Sequence, residues 1–229
     1  MTSYTELKSR VSRRLELEVD HRAPVDRATS LLPGGPRIGK CVHELLETVD
    51  LDAVRAASSA ASLANAAPEW LTRTLARHAV EPDLAAPLVE LVYDALTVPM
   101  SVGSSRFRLI DREPLGREIE FLVRLSERSR SIRVRGFIDA MFELEGELWI
   151  LDYKSDILSE YTEDSVQDHV EQHYRLQADL YAAAVERWVA PMSRVGGVVF
   201  SFLRSTDPAA ARGSCHAMSW SPQTPSTRC

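Results

Sequence analysis

The chain has 229 residues, 45% of them apolar, and a formal net charge of −6. This length suits one domain, alone or with an appendage, and the composition is that of a soluble globular protein with a substantial core. No apolar run is long enough to span a membrane, and the first residues contain no signal-peptide stretch. We therefore expect a cytoplasmic protein without a membrane partner.

The cysteines and the charge pattern narrow the function classes. Cys41, Cys215 and Cys229 are odd in number and widely spaced, which argues against a disulfide framework and a zinc knuckle. They are also too few for an all-cysteine iron–sulfur cluster. Net negative charge argues weakly against nucleic acid, but basic residues cluster near the start and just before residue 136. Such clusters are either a local rim that holds phosphates or ordinary solvated faces.

The first half of the chain has helical patterns. Residues 1–36 predict an N-terminal helix and a loop that lead into the domain. Residues 39–49 carry apolar side chains at helical spacing, so a core helix is expected there. A helical insertion is predicted over about 51–97, in which residues 84–97 form an amphipathic helix.

The second half changes to strand patterns. Alternating residues predict strands over 117–125 and 132–144, with Glu145-Gly146 as the next turn. A nearly continuous apolar run predicts a buried strand over 148–153. The remaining elements are a helix over 170–190, a buried strand over 198–203 and a disordered tail over 205–229. This order predicts an α/β fold with one mixed sheet flanked by helices.

The strands over 132–144 and 148–153 carry the strongest chemical signal. Asp139 and Asp152 each lie in an otherwise apolar strand, where a carboxylate is costly unless it is paired or metal-bound. Lys154 follows Asp152 by two residues, so both side chains share a face of the strand. Carboxylates commonly hold Mg²⁺, and the lysine can orient or help deprotonate an attacking water. An Asp–Lys salt bridge is the plainer interpretation of D-x-K alone; Asp139 and further partners favour a metal-dependent site.

Several other residues are candidate partners. His43 offers an imidazole ligand for Mg²⁺ or Mn²⁺, although a lone helical histidine is more often structural. Gln177 and Tyr181 share a helix face, where they either hold a phosphate, align the lysine or belong to the core. Glu118 or Glu120 adds a carboxylate from the first strand.

Two other patterns are given little weight. Residues 34–40 fit the phosphate-binding loop, but Cys41 replaces its Ser or Thr and no apolar strand precedes it, so nucleotide binding is not expected. His169 and His173 are four residues apart in a polar stretch, and a solvated face is expected there rather than a metal.

Together these motifs resemble the nuclease domain at the C-terminal end of the RecB subunit of bacterial helicase–nuclease complexes, within the PD-(D/E)XK superfamily. The ordered set is specific, although each motif alone is weak. The matching pieces cover roughly residues 3–204: SYTEL (3–7), Gly39 to His43, REIEF (117–121), Gly136 to Asp139, Asp152 to Ser155, Gln177 with Tyr181, and GGVVFSFLR (196–204).

The resemblance implies roles for individual residues. Asp139 and Asp152 would bind the metal, and His43 and the backbone carbonyl of Tyr153 would complete its shell. Lys154 would be catalytic together with the two aspartates.

The resemblance also implies a restriction-endonuclease-like fold over 37–204 and a Mg²⁺ cofactor, with Mn²⁺ as a substitute. DNA would be the substrate, and the implied partners are a helicase or RecBCD- or AddAB-like subunits. Iron–sulfur exonucleases of the superfamily match less well because their cysteines are missing. Family members usually carry a helicase ahead of this domain, so the chain is a fragment, a stand-alone relative or a separate subunit.

We therefore expect a Mg²⁺-dependent, exonuclease-like deoxyribonuclease that acts in double-strand break repair or DNA end processing. The alternative is a catalytically idle DNA-binding or scaffold module of a helicase–nuclease complex.

Overall fold

The computed structural model of the protein describes residues 2–3, 32–102, 104–127, 130–158, 160–189, 193–205 and 217–220. The helices are α1 Pro36–Thr48, α2 Leu51–Ala56, α3 Ala60–Ala66, α4 Pro68–Arg77, α5 Ala85–Thr97, α6 Glu163–His173 and α7 Arg175–Val189, with 3-10 turns at Pro82–Leu84 and Leu109–Asp111. The strands are β1 Thr2–Ser3, β2 Met100–Val102, β3 Ser105–Phe107, β4 Gly116–Glu127, β5 Arg130–Leu144, β6 Glu147–Lys154, β7 Arg194–Phe202 and β8 Ala217–Trp220.

The main sheet is mixed, and six of the described strands form it. Strand β5 pairs antiparallel with β4 along one edge, and its other edge pairs with both β6 and the short parallel strand β1. Strands β6 and β7 are parallel, and α6 and α7 form the crossover between them. Strand β8 adds to β7 in antiparallel orientation. This arrangement places the end of β6, which carries Asp152 and Lys154, in the middle of the sheet.

The sheet is covered on both faces, as its apolar strands predict. One core joins α1, the helices α2–α5 and the β2–β3 hairpin to sheet residues such as Phe142, Leu151 and Tyr153. The other core joins α6 and α7 to residues such as Ile138, Ile150 and Phe200. Because neighbouring residues of β6 enter opposite cores, the strand is buried on both sides.

The turn between β5 and β6 has the conformation that its sequence favours. Glu145 and Gly146 both have positive φ, at 54° and 81°. A two-residue hairpin turn with two positive φ angles matches the right-handed twist of the strands that it joins. The turn fixes the antiparallel register in which Ala140 lies opposite Leu151.

The structure confirms the predicted fold class and corrects several details. The helical insertion over about 51–97 is present as α2–α5, and the sheet is flanked by helices. The helix predicted over 170–190 is instead two helices, because Tyr174 leaves the helical conformation and packs against Phe200. The β2–β3 hairpin was not predicted.

The predictions for the two ends of the chain fall mostly outside the described residues. Within 1–36, Thr2 and Ser3 form a strand rather than part of a helix, and residues 4–31 are outside the described ranges. Within the tail predicted as disordered, residues 217–220 pair with β7. The rest of 206–229 is outside the described ranges, and the domain boundaries stay a prediction. Among the described residues, no helix has the length and apolarity that crossing a bilayer requires.

Candidate active site and metal centre

Strand β6 supplies an acid and a lysine to one face of the sheet. Asp152 is 3% exposed, and its Oδ2 lies 2.5 Å from the Nζ of Lys154. The two side chains share a face because they are two residues apart on a strand. The predicted acid–lysine pair is therefore brought together inside the protein.

Helix α7 holds this pair through Gln177 and Tyr181, which lie one helical turn apart. The amide nitrogen of Gln177 donates to Asp152 Oδ1 at 2.8 Å, and its amide oxygen accepts from Lys154 Nζ at 2.9 Å. The Tyr181 hydroxyl accepts from Gln177 and lies 2.7 Å from both Asp152 Oδ1 and the carbonyl oxygen of Phe137. The sequence left open whether Gln177 and Tyr181 hold a phosphate, align the lysine or belong to the core. The bond between Gln177 and Lys154 agrees with alignment of the lysine. Contact with a phosphate stays a prediction.

The second acid, Asp139, joins the histidine of α1 to the end of β6. Asp139 Oδ1 lies 3.0 Å from Nδ1 of His43, and its Oδ2 accepts from the backbone nitrogen of Tyr153 at 2.6 Å. A glycine lets α1 approach this closely, because a Cβ added at Gly39 would lie 2.9 Å from Ser155 Oγ. Residues far apart in sequence therefore meet at the point where β5 and β6 diverge.

The electrostatics of the site are those of a buried anionic centre. Burial raises the pKa of Asp152 above its ordinary value, and the charge of Asp139 adds to this, although Lys154 opposes it. Burial alone would lower the pKa of His43, but its hydrogen bond to Asp139 and the charges of both aspartates outweigh burial and raise it. Buried carboxylates of this kind are stabilised by added positive charge.

The donor set fits a hard divalent cation in its chemistry. The buried Asp152 Oδ2 lies 2.5 Å from the Lys154 ammonium, so this oxygen presents its negative charge to a cation inside the site. Carboxylate and carbonyl oxygens are the ligands that Mg²⁺ prefers. Within the described ranges, however, no three His, Cys, Asp or Glu side chains form a ready-made metal group. Here Nδ1 of His43 and Oδ1 of Asp139 instead bond to each other.

Glu118, rather than Glu120, is the carboxylate of β4 that belongs to this site. Glu118 lines a cleft together with His43 and Asp139, whereas Glu120 pairs with Arg135 at the surface. The backbone of Glu118 has a φ of 48° in the middle of a strand, a strained conformation for a non-glycine residue. Burial, followed by the charge of Asp139, raises its pKa.

Sequence reasoning missed two residues beside the lysine, Tyr174 and Asp156. The ring of Tyr174 lies under the Lys154 ammonium, and its hydroxyl donates to Asp156. Spacing could not have found them, because Tyr174 lies at the break between α6 and α7 and Asp156 lies beyond the end of β6.

One of the two patterns given little weight borders the acid–lysine site, because His169 Nε2 lies 3.9 Å from Asp156 Oδ2. The segment 34–40 forms the start of α1, and the described residues just before it are not a strand. His169 is not on the fully solvated face expected for it, because its ring packs 5.7 Å from that of Tyr174 and 5.8 Å from that of Phe202.

A sheet with these acids and lysine at a strand end defines a class of metal-dependent nuclease folds, and comparison with known families agrees. The model of the PD-(D/E)XK nuclease superfamily matches residues 10–224, and the chain belongs to this superfamily.

Several relatives are subunits of the RecBCD enzyme or of an ATP-dependent helicase/nuclease. The chain is 25% identical to the RecBCD enzyme subunit RecB of Escherichia coli (strain K12), a match that covers 90% of this chain and 21% of that protein. RecB of Chlamydia muridarum is 25% identical over 79% of this chain and 17% of its own length. One ATP-dependent helicase/nuclease subunit, from Thermoanaerobacter sp. (strain X514), is 30% identical over 34% of this chain and 7% of its own length. The chain thus spans about a fifth or less of these relatives.

Proposed function

We propose that the protein is a Mg²⁺-dependent deoxyribonuclease that hydrolyses DNA phosphodiester bonds in a RecB-like role. The proposed setting is double-strand break repair or DNA end processing together with a helicase. The observation that carries the proposal is the meeting of Asp139, Asp152 and Lys154 with His43 at one end of the sheet. Membership of a nuclease superfamily and similarity to RecB subunits support it.

The proposed roles follow from the contacts of each group. Asp139, Asp152, His43 and the Tyr153 carbonyl would hold the cation, which when bound supplies activation of a water and polarisation of the phosphate. Hydrolysis forms a bond between phosphorus and a water oxygen, which gives up a proton to solvent, and breaks the bond to the leaving oxygen, which takes up a proton. Lys154 places a positive charge beside the phosphate as negative charge develops.

The neighbours of this group keep it in one arrangement. Gln177 contacts both Asp152 and Lys154, so it fixes the distance between the acid and the ammonium. Tyr181 joins Asp152 to the backbone of β5 at Phe137. His43, Glu118 and Asp139 form the acidic end of a cleft whose other walls are mainly apolar, and this end is the proposed approach for the DNA strand. Asp152 and Lys154 lie behind the described lining of that cleft.

The test compares cleavage of linear single- and double-stranded DNA by the wild type and by Asp152→Asn and Lys154→Ala. With Mg²⁺ we expect the wild type to degrade DNA and both variants to lose at least about a thousandfold in rate, because each loses a group essential to the transition state. Addition of EDTA is expected to stop the wild type. Gel electrophoresis of labelled DNA measures the rates, and circular dichroism checks that each variant is folded.

Matched controls come from exposed residues away from the cleft. Arg73→Ala removes an exposed cation of α4, and Asp83→Asn neutralises an exposed carboxylate of the 3-10 turn at Pro82–Leu84; both are expected to cleave at the wild-type rate. Cleavage by either site variant at the wild-type rate contradicts the proposal. DNA binding without any degradation by the wild type identifies the idle module instead.

A further inference from the structure

The Lys154 ammonium lies in an aromatic cage formed by the rings of Tyr174 and Phe200. Its Nζ is 4.1 Å from the centre of the Tyr174 ring and 5.3 Å from that of Phe200. Both distances fall within the range in which a cation is attracted to the negative face of an aromatic ring. The side chain of Lys154 is only 12% exposed, so water screens this attraction little.

The Tyr174 ring is itself held in place from two sides. It stacks on Phe200 with centroids 5.4 Å apart and an interplanar angle of 27°. Its hydroxyl donates to the carboxylate of Asp156, in the segment that follows β6. Tyr174 also occupies the break between α6 and α7, where the chain leaves the helix. The ring is therefore a fixed surface rather than a mobile side chain.

A lysine at this site needs such a surface because its own side chain is flexible and hydrogen bonds hold it only in part. The lysine stem has four rotatable bonds and a large rotamer entropy. Gln177 accepts one N–H bond from the ammonium, and Asp152 Oδ2 lies 2.5 Å from it, which leaves part of the ammonium without a protein oxygen among these contacts. An aromatic face attracts the ammonium without using an N–H group, so donors stay available for a phosphate oxygen.

We propose that Tyr174 is a positioning residue that holds the Lys154 ammonium toward the scissile phosphate through its aromatic face. This rests on the proposed nuclease function and adds to it a residue without which the lysine would sample other rotamers. The ring, rather than the hydroxyl, carries the effect. Tyr174→Phe therefore keeps the function and Tyr174→Leu loses it.

The kinetic test uses three variants of the full chain with linear DNA and Mg²⁺. Tyr174→Leu is expected to lower kcat about tenfold with KM nearly unchanged, because the cation–π attraction is lost while DNA binding is not. Tyr174→Phe is expected to keep most of kcat. The control is Tyr161→Phe, which removes a hydroxyl that bonds Asp156 O and Leu158 N in the same segment, and it is expected to behave as the wild type.

A second readout reports the cage without relying on catalysis. The ε-methylene protons of Lys154 lie near the ring face, so their nuclear magnetic resonance signal in the metal-free protein should be shifted upfield. The shift should persist in Tyr174→Phe and decrease sharply in Tyr174→Leu, with Lys154→Arg identifying the signal by its disappearance. A wild type without DNA cleavage would end the nuclease proposal, whereas this shift still decides whether the ring holds the lysine.

Three results would overturn the positioning role. The first is a kcat in Tyr174→Leu equal to that of the wild type. The second is a loss of kcat as large in Tyr174→Phe as in Tyr174→Leu, which would assign the effect to the hydroxyl and Asp156. The third is a Lys154 signal that is unshifted in the wild type or unchanged in Tyr174→Leu.

Discussion

At the residue scale, the buried Asp152–Lys154 ion pair is expected to add little to the free energy of unfolding. It does bring an acid and a cation together where hydrolysis is proposed. Taking two charges out of water carries a desolvation cost that their attraction often fails to recover. The pair is nonetheless held by hydrogen bonds from Gln177 and Tyr181 to Asp152 Oδ1, while Asp152 Oδ2 lies 2.5 Å from the Lys154 ammonium. A buried carboxylate beside a second acid is understandable when a cation is bound there.

Tyr181→Phe tests the support of Asp152 without removing a proposed ligand. The variant loses the hydroxyl that contacts Asp152 Oδ1 and the Phe137 carbonyl, so the carboxylate is held less firmly. Partners that orient metal ligands are typically worth about 10- to 100-fold in metal affinity or activity. We expect the Mg²⁺ concentration for half-maximal cleavage to rise about tenfold, as measured by titration of the cleavage rate.

The matched control is Tyr93→Phe, whose hydroxyl donates to the Ala57 carbonyl in the helical insertion. It should leave the Mg²⁺ dependence unchanged. An unaltered Mg²⁺ titration in Tyr181→Phe would show that the hydroxyl does not organise the site.

At the element scale, close approach between β4 and β5 positions the strand that carries Asp139. Gly136 lies opposite Phe121 in the antiparallel register. A Cβ added at Gly136 would lie 2.5 Å from the buried Phe121 ring. The glycine is thus required by packing, since its absence of a side chain makes room for a ring in the core that supports α7.

Gly136→Ala is expected to destabilise the protein by about 1–2 kcal/mol, because overpacking in a dense core exceeds the entropic advantage of alanine. Chemical denaturation followed by circular dichroism measures the change. The double variant Gly136→Ala/Phe121→Leu, in which the smaller side chain makes room, should recover part of the loss relative to Phe121→Leu alone. An unchanged free energy of unfolding in the single variant would mean that the ring moves freely.

The elements also show how far the sequence predicts this structure. Apolar periodicity predicted β4–β7, α1 and α5, because each of these elements buries a continuous apolar face. The family resemblance then gave the order of the candidate site residues along the chain. Periodicity failed at Tyr174, where contacts with Phe200 and Lys154 break a helix that the local pattern continues. It also could not choose between Glu118 and Glu120, because residues two apart on a strand share a face.

At the scale of the whole molecule, the main sheet lies between two separate hydrophobic cores, and α1 packs in one of them. Cys41 of α1 is fully buried there. Burial, with a smaller effect of Glu44, raises the pKa of its thiol to about 11. Near neutral pH this thiol is therefore buried and protonated. Its rate of reaction with a thiol reagent therefore measures how often the core opens.

In a variant with Cys215→Ser and Cys229→Ser, maleimide labelling of Cys41 near neutral pH should be very slow in the native state. Unfolding should raise the rate at least about a hundredfold from the thiolate fraction alone, as the pKa returns toward its ordinary value. The labelling midpoint in urea should coincide with the circular dichroism midpoint if the domain unfolds in one step. Labelling well below that midpoint would show that α1 opens independently of the sheet.

The helical insertion separates His43 from Asp139 along the chain, and this has a consequence for how the protein tolerates changes in length. Enlarging a surface connection has only a slowly growing entropic penalty, about 0.6 kcal/mol for each doubling. Ser58, in the exposed connection between α2 and α3, is thus a place where a tag or a foreign module can be grafted, and an unchanged circular dichroism spectrum would show it.

Excising 51–97 is a different matter, because Leu63, Leu88 and Val92 share a core with Val42 and Leu45. The domain is therefore expected to tolerate an insertion at Ser58. Deletion of 51–97 would instead expose α1, the helix that carries His43.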